Sequence, residues 1–148
     1  MSKLLILIGL SAVTAWAQVD IYSAKDLEKM KEELAQKRTQ TVTKNLKRYG
    51  NHFTLLGYRD GTGSAEVHQH DADFFVVESG EAILVSGGTL VNSKTEKEGE
   101  IRGTSIQGGE RHPLGQGDVV HIPAGVPHQL VIEKGKPFTY FVVKVSGQ

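Results

Sequence analysis

Three histidines have a residue type and a spacing that could hold a metal ion. His68 and His70 are separated by one residue, and His128 follows much later, after a segment rich in proline and glycine. Side chains alternate along a β-strand, so two imidazoles at positions i and i+2 would lie on one face. A third imidazole on a rigid turn could complete one side of a coordination shell. The sequence therefore predicts a metal site.

The segment before His128 is predicted to be a stiff turn. Two prolines fix their own φ angles there, and Gly125 between them permits a sharp reversal of the chain. Asp73 follows the histidine pair closely and could add a carboxylate ligand. Since the chain has no cysteine, thiolate ligands are excluded. The predicted cofactor is thus a divalent transition metal, with iron, manganese, zinc, nickel and copper all left open.

Residues 23–38 are predicted to form one helix ahead of these segments. Ser23 is suited to the N-cap, and Asp26 three positions later gives a weak capping box. Glu33 and Lys37 form an i,i+4 pair near its end. Apolar side chains at i, i+3 and i+7 make a narrow stripe that should pack on the barrel or on a partner subunit. The stripe consists of Leu27, Met30 and Leu34.

After about residue 39 the pattern changes to short strands that are separated by glycine and proline. Ser79-Gly80 is predicted to close a tight hairpin. Residues 92–110 are polar and are predicted to form one long loop. Many short strands with such punctuation indicate an antiparallel barrel or sandwich. The predicted strands are 53–58, 65–70, 74–77, 82–85, 89–91, 118–122, 129–132 and 138–145.

Two segments of the chain resemble the sequence motifs of the cupin family. The first motif is written Gly-x5-His-x-His-x3or4-Glu-x6-Gly, and the second Gly-x5-Pro-x-Gly-x2-His-x3-Asn. Four residues match the second motif in every spacing, although Ile132 stands where the family has its final asparagine. The matching residues are His68, His70 and Gly80 in the first motif, and Gly117, Pro123, Gly125 and His128 in the second.

The carboxylate of the first motif is the main departure from the family pattern. Asp73 has the six residues between itself and Gly80 that the family's glutamate has, but it lies one residue too close to His70. Aspartate also has a shorter reach than glutamate. Two arrangements stay open: Asp73 coordinates the metal through a tightened segment, or the site consists of three histidines and water. Asp71 is the less favoured alternative ligand.

The resemblance implies an all-β fold, the antiparallel double-stranded β-helix (jelly-roll or cupin barrel), with one N-terminal α-helix. It also implies that His68, His70 and His128 face the barrel interior and hold the metal. Cupins include dioxygenases, isomerases and lyases as well as proteins that only bind ligands, so the fold alone leaves the function open. The first hypothesis is a metalloenzyme acting on a small oxygen-rich organic molecule. The alternatives are a ligand-binding or sensor module and a metal that only stabilises the barrel.

Several other polar residues are candidates for further roles. Glu110 and His112 could move a proton at the mouth of the site, because an imidazole titrates near neutrality. His121 is expected on the outer or rim surface, and His52 in a structural position. Three arginines could pair with a substrate carboxylate or could simply be surface charges. These are Arg59, Arg102 and Arg111.

Residues 1–17 are typical of a bacterial signal peptide. Lys3 supplies a basic start, an apolar run follows, and Ala15-Trp16-Ala17 fits a small-x-small cleavage site. The apolar run is too short to span a bilayer. We therefore expect a periplasmic or secreted protein, with residues 18–50 as an N-terminal helical extension and residues 51–148 as the cupin barrel domain.

The remaining partner expectations come from charge and from the resemblance. The chain has 17 basic and 17 acidic residues, and no basic patch stands out. Nucleic acid is therefore not expected as a partner, and neither is a membrane after signal cleavage. Cupin barrels commonly pair through sheet edges and N-terminal segments, so a homodimer is expected, in which residues 23–38 could swap onto the neighbour.

Overall fold

The computed structural model describes residues 19–37 and 39–147, so the predicted signal peptide lies outside the described residues. One helix, α1, spans Ala24–Ala35. It begins as predicted, because Ser23 accepts a hydrogen bond from the Asp26 amide and the Asp26 carboxylate accepts one from Ser23 in return. Among the described residues, no helix has the length and hydropathy needed to cross a membrane.

Helix α1 ends earlier than the sequence predicted. Its last residue is Ala35, so the expected i,i+4 pair between Glu33 and Lys37 does not form. Glu33 instead pairs with Lys44 of the first strand at 2.7 Å. The predicted apolar stripe packs on the outer face of the sheet, against Leu56 and Tyr58.

Thirteen strands make up the rest of the described chain. They are β1 (Thr41–Arg48), β2 (His52–Arg59), β3 (Ala65–His68), β4 (Asp71–Ser79), β5 (Ala82–Ser86), β6 (Thr89–Val91), β7 (Lys94–Lys97), β8 (Glu100–Gly103), β9 (Ser105–Gln107), β10 (Glu110–Leu114), β11 (Val119–Ile122), β12 (His128–Val131) and β13 (Phe138–Ser146).

The strands form two large antiparallel sheets with one core between them. The five-stranded sheet has the order β1-β2-β13-β4-β11, and the six-stranded sheet has the order β10-β5-β12-β3-β8-β7. A small sheet pairs β6 with β9. Both large sheets contribute to the core, which includes Phe75 and Phe138 from one and Leu84 and Leu130 from the other. This arrangement is the predicted double-stranded β-helix with one helix.

Two polar regions are more regular than the sequence suggested. Strand β1 lies within residues 18–50, the expected helical extension, and it pairs with β2 along its whole length. Residues 92–110 are not one long loop, because β7, β8 and β9 occupy most of them. These strands are held by backbone pairing and bury few side chains, so hydrophobic periodicity does not reveal them.

The turn at Ser79-Gly80 does not close a hairpin. Strand β4 pairs with β13 and β11, whereas β5 pairs with β10 and β12, so the turn carries the chain from one sheet to the other. Gly80 has a φ of +84°, and a side chain at this position would collide with the carbonyl oxygen of Pro137. Glycine is therefore required by the crossing between sheets.

Candidate metal centre

Neighbouring strands bring His68 and His128 together inside the barrel. His68 is the last residue of β3, His128 is the first of β12, and their ring centroids lie 5.2 Å apart. Both side chains are buried. The turn before His128 is tied to β3, because the Gly125 amide donates to the His68 carbonyl oxygen at 2.7 Å. Gly125 has a φ of +79°, which agrees with the predicted sharp reversal.

One ring nitrogen of each histidine is engaged away from the cavity. The Nδ1 of His68 lies 2.7 Å from a carboxylate oxygen of Glu100. The Nδ1 of His128 donates to the carbonyl oxygen of Val126 at 3.0 Å. Metal-binding histidines are usually oriented by such a bond on the other nitrogen. Each ring is therefore fixed with its Nε2 available for a ligand.

Two carboxylates approach these Nε2 atoms. Glu66 Oε2 lies 3.3 Å from the Nε2 of His68. Asp73 Oδ2 lies 3.4 Å from the same atom and 3.6 Å from the Nε2 of His128. Within the described residues, Glu66, His68 and His128 offer ligand atoms that all lie within 4.8 Å of one another. Asp73 is close to both imidazole nitrogens but stands outside this group of three.

The second oxygen of each carboxylate faces a cation. Asp73 Oδ1 lies 2.9 Å from the Nζ of Lys144. Glu66 Oε1 pairs with Arg102 at 2.5 Å and with Arg59 at 3.8 Å. Such pairing orients both carboxyl groups, so that one oxygen of each is directed at the imidazoles.

The charges of this cluster depend on one another. Burial opposes a charge on His68, but the carboxylates of Asp73 and Glu66 outweigh it and raise the pKa of His68 to about 9. Burial, the largest influence on His128, lowers the pKa of that imidazole. Although burial also works against charged carboxylates, His68 and the nearby cations hold the pKa values of Glu66 and Asp73 below their usual range.

Two buried atoms of the cluster have no hydrogen-bond partner among the described residues, the Nε2 of His68 and the Oδ1 of Asp73, and only the second of these faces a cation, Lys144. The Nε2 of His68 is buried, and neither nearby carboxylate meets it with hydrogen-bonding geometry in the described structure. Buried polar atoms are normally paired, so an unpaired one calls for a reason. An imidazole nitrogen beside two carboxylate oxygens and a second imidazole is a donor set that fits a divalent transition metal.

His70 does not join this group. Strand β3 ends at His68, so the alternation that should have placed both rings on one face stops there. His70 lies in the bend before β4, and its side chain is exposed. The expectation that His68 and His70 share one face is therefore not met, because the strand is two residues shorter than predicted.

The structure places the other candidate residues as follows. Glu110 and His112 are exposed on β10, an edge strand, and neither lines the cavity that contains His68. Asp71 does line that cavity. His121 is exposed on β11 against Phe74, on the outer surface as expected. The remaining candidates are His52, stacked on Tyr49; Arg111, exposed; and Arg59 and Arg102, both in the cavity wall.

Glu66 is the site residue that sequence reasoning missed. It stands two positions before His68, so the same alternation that grouped His68 with His70 also places Glu66 on that face. The pairing of Glu66 with His128 across β3 and β12 brings it to the second imidazole as well. The alternation that groups His68 with position i+2 applies equally to position i−2, so the sequence itself carries the signal for Glu66.

The cluster lies in the wall of a cavity of about 540 Å³ between the two large sheets. The apolar part of the wall includes Phe75, Leu130 and Val142, and the polar part includes Gln129 and Tyr140. Gly57 leaves room for the ring of Tyr140, because a methyl group there would lie 2.5 Å from it. The cavity is large enough for a small organic molecule next to the cluster.

Comparison with known proteins points to one fold family. The family model described as "Cupin domain" matches residues 97–144, which include the turn before His128. An uncharacterized conserved protein with a double-stranded β-helix domain from Klebsiella pneumoniae aligns with a TM-score of 0.58 and 17% identity, over 88% of this chain and 93% of that one. No curated protein matches the sequence.

Two further solved structures share the barrel. A Cupin 2 conserved barrel domain protein from Salinispora arenicola has a TM-score of 0.51 and 21% identity, over 72% of this chain and 76% of that one. The polyketide cyclase RemF from Streptomyces resistomycificus has a TM-score of 0.51 and 17% identity, over 72% of this chain and 65% of that one. At these identities the likeness concerns the fold alone.

Proposed function

We propose that this chain, whose residues 97–144 match the cupin family model and whose fold is that of solved cupin barrels, binds a divalent transition metal and acts on a small oxygen-rich organic molecule. The observation that carries the proposal is the convergence of two imidazole nitrogens and two carboxylate oxygens on one cavity wall, with the buried Nε2 of His68 left without a hydrogen bond. A metal ion would satisfy this nitrogen.

In this proposal the ligands are His68 and His128 through Nε2, and Glu66 and Asp73 through the oxygens that face away from the cations. In this set Glu66 takes the place of His70 in the ligand set predicted from the sequence, which was His68, His70, Asp73 and His128. Nitrogen and hard oxygen donors suit Fe(II), Mn(II), Zn(II) or Ni(II). A bound ion would supply Lewis-acid polarisation of a substrate oxygen.

The protein itself would position the substrate and exclude water. Apolar side chains cover one part of the cavity, and the buried Gln129 is fixed by donating its amide to the carbonyl oxygen of Gly63 at 2.8 Å.

We propose isomerase, lyase or dioxygenase chemistry, since RemF shows that a barrel of this fold can serve an enzyme. Elemental analysis of the purified protein, followed by turnover assays on hydroxy and oxo compounds, tests this. Less than about half an equivalent of metal after loading would refute the proposal.

Metal binding is expected to release protons. Because His68 has a pKa of about 9, it is protonated in the metal-free protein at pH 7.5 and must lose this proton to coordinate. The His128 imidazole, whose pKa is lowered, is already neutral there. We therefore expect about one proton released per Zn²⁺ at pH 7.5, measured with a pH indicator in weak buffer.

The proton release also has a predicted pH profile. It should fall toward zero as the pH rises above about 9, because His68 then loses its proton before the metal arrives. Metal affinity should correspondingly increase with pH up to that value and then level off. Release of no proton at pH 7.5, or an affinity that is flat from pH 6 to pH 9, would contradict coordination by His68.

We also propose that the protein works outside the cytoplasm after cleavage behind Ala17. The support is the sequence pattern of residues 1–17, with its basic start, apolar run and small-x-small cleavage site. Mass spectrometry of the exported protein should find Gln18 as the first residue. An intact Met1 in the mature protein would show that the segment is retained.

A further inference from the structure

An arginine is buried beside the proposed metal ligands. Arg59 is the last residue of β2, and only 7% of its surface is exposed. Along β2, Leu56 and Tyr58 pack under the helix, so the alternating residues Leu55 and Arg59 face the interior. The guanidinium therefore lies in the cavity wall and not on the protein surface.

The hydrogen-bonding capacity of Arg59 is used only in part. Its Nε donates to the hydroxyl oxygen of Tyr140 at 2.9 Å. In the described part of the chain, this is the only hydrogen bond that the guanidinium makes, and its nearest carboxylate oxygen, on Glu66, lies 3.8 Å from Nη2. Arg102 is closer to the same oxygen. The two terminal nitrogens thus keep donors for another acceptor.

The backbone is shaped to admit this guanidinium. A methyl group at Gly63 would collide with Nη1 of Arg59 and would lie 3.2 Å from the hydroxyl of Thr41. Gly63 has an ordinary φ, so its lack of a side chain serves space and not backbone conformation. The site is therefore built around the position of the Arg59 side chain.

The charges around the cluster do not balance once a metal is bound. The cations are Arg59, Arg102 and Lys144, and the carboxylates are Glu66, Asp73, Glu100 and Glu96, which pairs with Arg102. A divalent ion ligated by neutral imidazoles brings the positive total to five against four negative charges. The rim residues Arg48, Lys97 and Asp71 add one more positive charge. The loaded cavity thus favours an anion.

We propose that Arg59 binds the carboxylate of the substrate, and that the substrate class is small 2-oxo or 2-hydroxy acids. This inference rests on the proposed metal site, because the oxygen next to the carboxylate is the one that would reach the metal. A guanidinium offers two parallel N–H groups that match the two oxygens of a carboxylate. The cavity volume limits the acid to a small molecule.

The test compares acids with their amides on the full chain loaded with Zn²⁺. Pyruvate, lactate, phenylpyruvate and mandelate, each paired with its amide, are titrated by calorimetry. At least one acid is expected to bind about tenfold or more tightly than its amide, since only the acid forms a charge-assisted pair. If no acid binds more tightly than its amide, the inference is wrong. This comparison uses the wild-type protein alone, so it does not depend on the folding of any variant.

Two variants then locate the preference. Arg59→Gln should abolish the preference for the acid, while Arg102, the closer partner of Glu66, still orients that carboxylate. Gly63→Ala keeps the charge of Arg59 but displaces its guanidinium. This variant should lower the affinity for the acid and leave the affinity for the amide unchanged. Arg111→Gln, at an exposed arginine outside the cavity, is the matched control and should change nothing. A preference that survives both cavity variants would overturn the assignment to Arg59.

The same experiment separates this inference from the metal proposal. If wild-type protein fails to bind Zn²⁺, the proposed function is refuted. Comparing the affinities for acid and amide on metal-free protein then still tests whether Arg59 binds the carboxylate. The guanidinium is positioned by its hydrogen bond to Tyr140 and by the space at Gly63, and neither depends on a metal. Equal binding of acid and amide in that state would refute the inference as well.

Discussion

Replacing His128 with alanine is expected to weaken Zn²⁺ binding by about 100-fold or more, because it removes one of the two imidazoles of the proposed four-donor site. His68→Ala should have a similar effect. The affinity is measured by competition with a chromophoric chelator, on variants whose secondary structure is checked by circular dichroism. Both histidines begin or end a strand, so their removal leaves the strand interiors intact.

The matched control for these variants is His70→Ala. His70 is also an imidazole and stands only two residues from His68, but it is exposed and outside the cluster. Its replacement should leave the affinity for Zn²⁺ within about twofold of wild type. Loss of binding in His70→Ala would favour the three-histidine site that the sequence suggested. Unchanged binding in all three variants would show that the metal is held elsewhere.

Replacing Phe138 with alanine is expected to lower the free energy of unfolding by about 3–5 kcal/mol. Phe138 is completely buried in the core that both large sheets share, and its ring packs 5.3 Å from that of Tyr140. Loss of the ring removes apolar contacts and leaves a cavity that neighbouring strands can fill only in part. Urea unfolding of metal-free protein measures the change, provided that the slope with urea is unaltered.

Phe74→Ala is the control for this stability prediction. Phe74 has the same side chain on the neighbouring strand β4, but it is 45% exposed and points away from the core. Its replacement should cost less than about 1 kcal/mol. Equal losses from the two variants would mean that the core does not lie between the sheets as described.

The elements with long apolar runs or an apolar stripe were predictable from the sequence, and the mostly polar strands were not. Strands such as β13 carry an apolar run, and α1 carries a cap and an apolar stripe, so local patterns mark them. Strands β1 and β7 are polar, and β7 is exposed throughout. Each is stabilised by backbone pairing with the next strand of the chain, β1 with β2 and β7 with β8, and an apolar periodicity does not report such pairing.

Local sequence patterns also placed some residues of the candidate site and not others. The motif around His128 predicted the turn that places this imidazole, because proline and glycine restrict the φ angles there. The His68–His70 spacing carries no information about where β3 ends, and one bend moved His70 out. Arg59 follows the apolar run 53–58 and Lys144 lies within the apolar run 138–145, so no local pattern assigns their charges to the carboxylates of the cluster.

The hydrogen bond from Gly125 to the carbonyl oxygen of His68 has a consequence for how the cluster is assembled. It joins the two imidazole-bearing strands through their backbones, so the rings reach their relative positions during folding, whether or not an ion is present. An incoming ion would meet a preorganised cradle and would lose little affinity to ordering of the chain. Conversely, any motion that separates β3 from this turn would move His68 and His128 apart and so disrupt the proposed site.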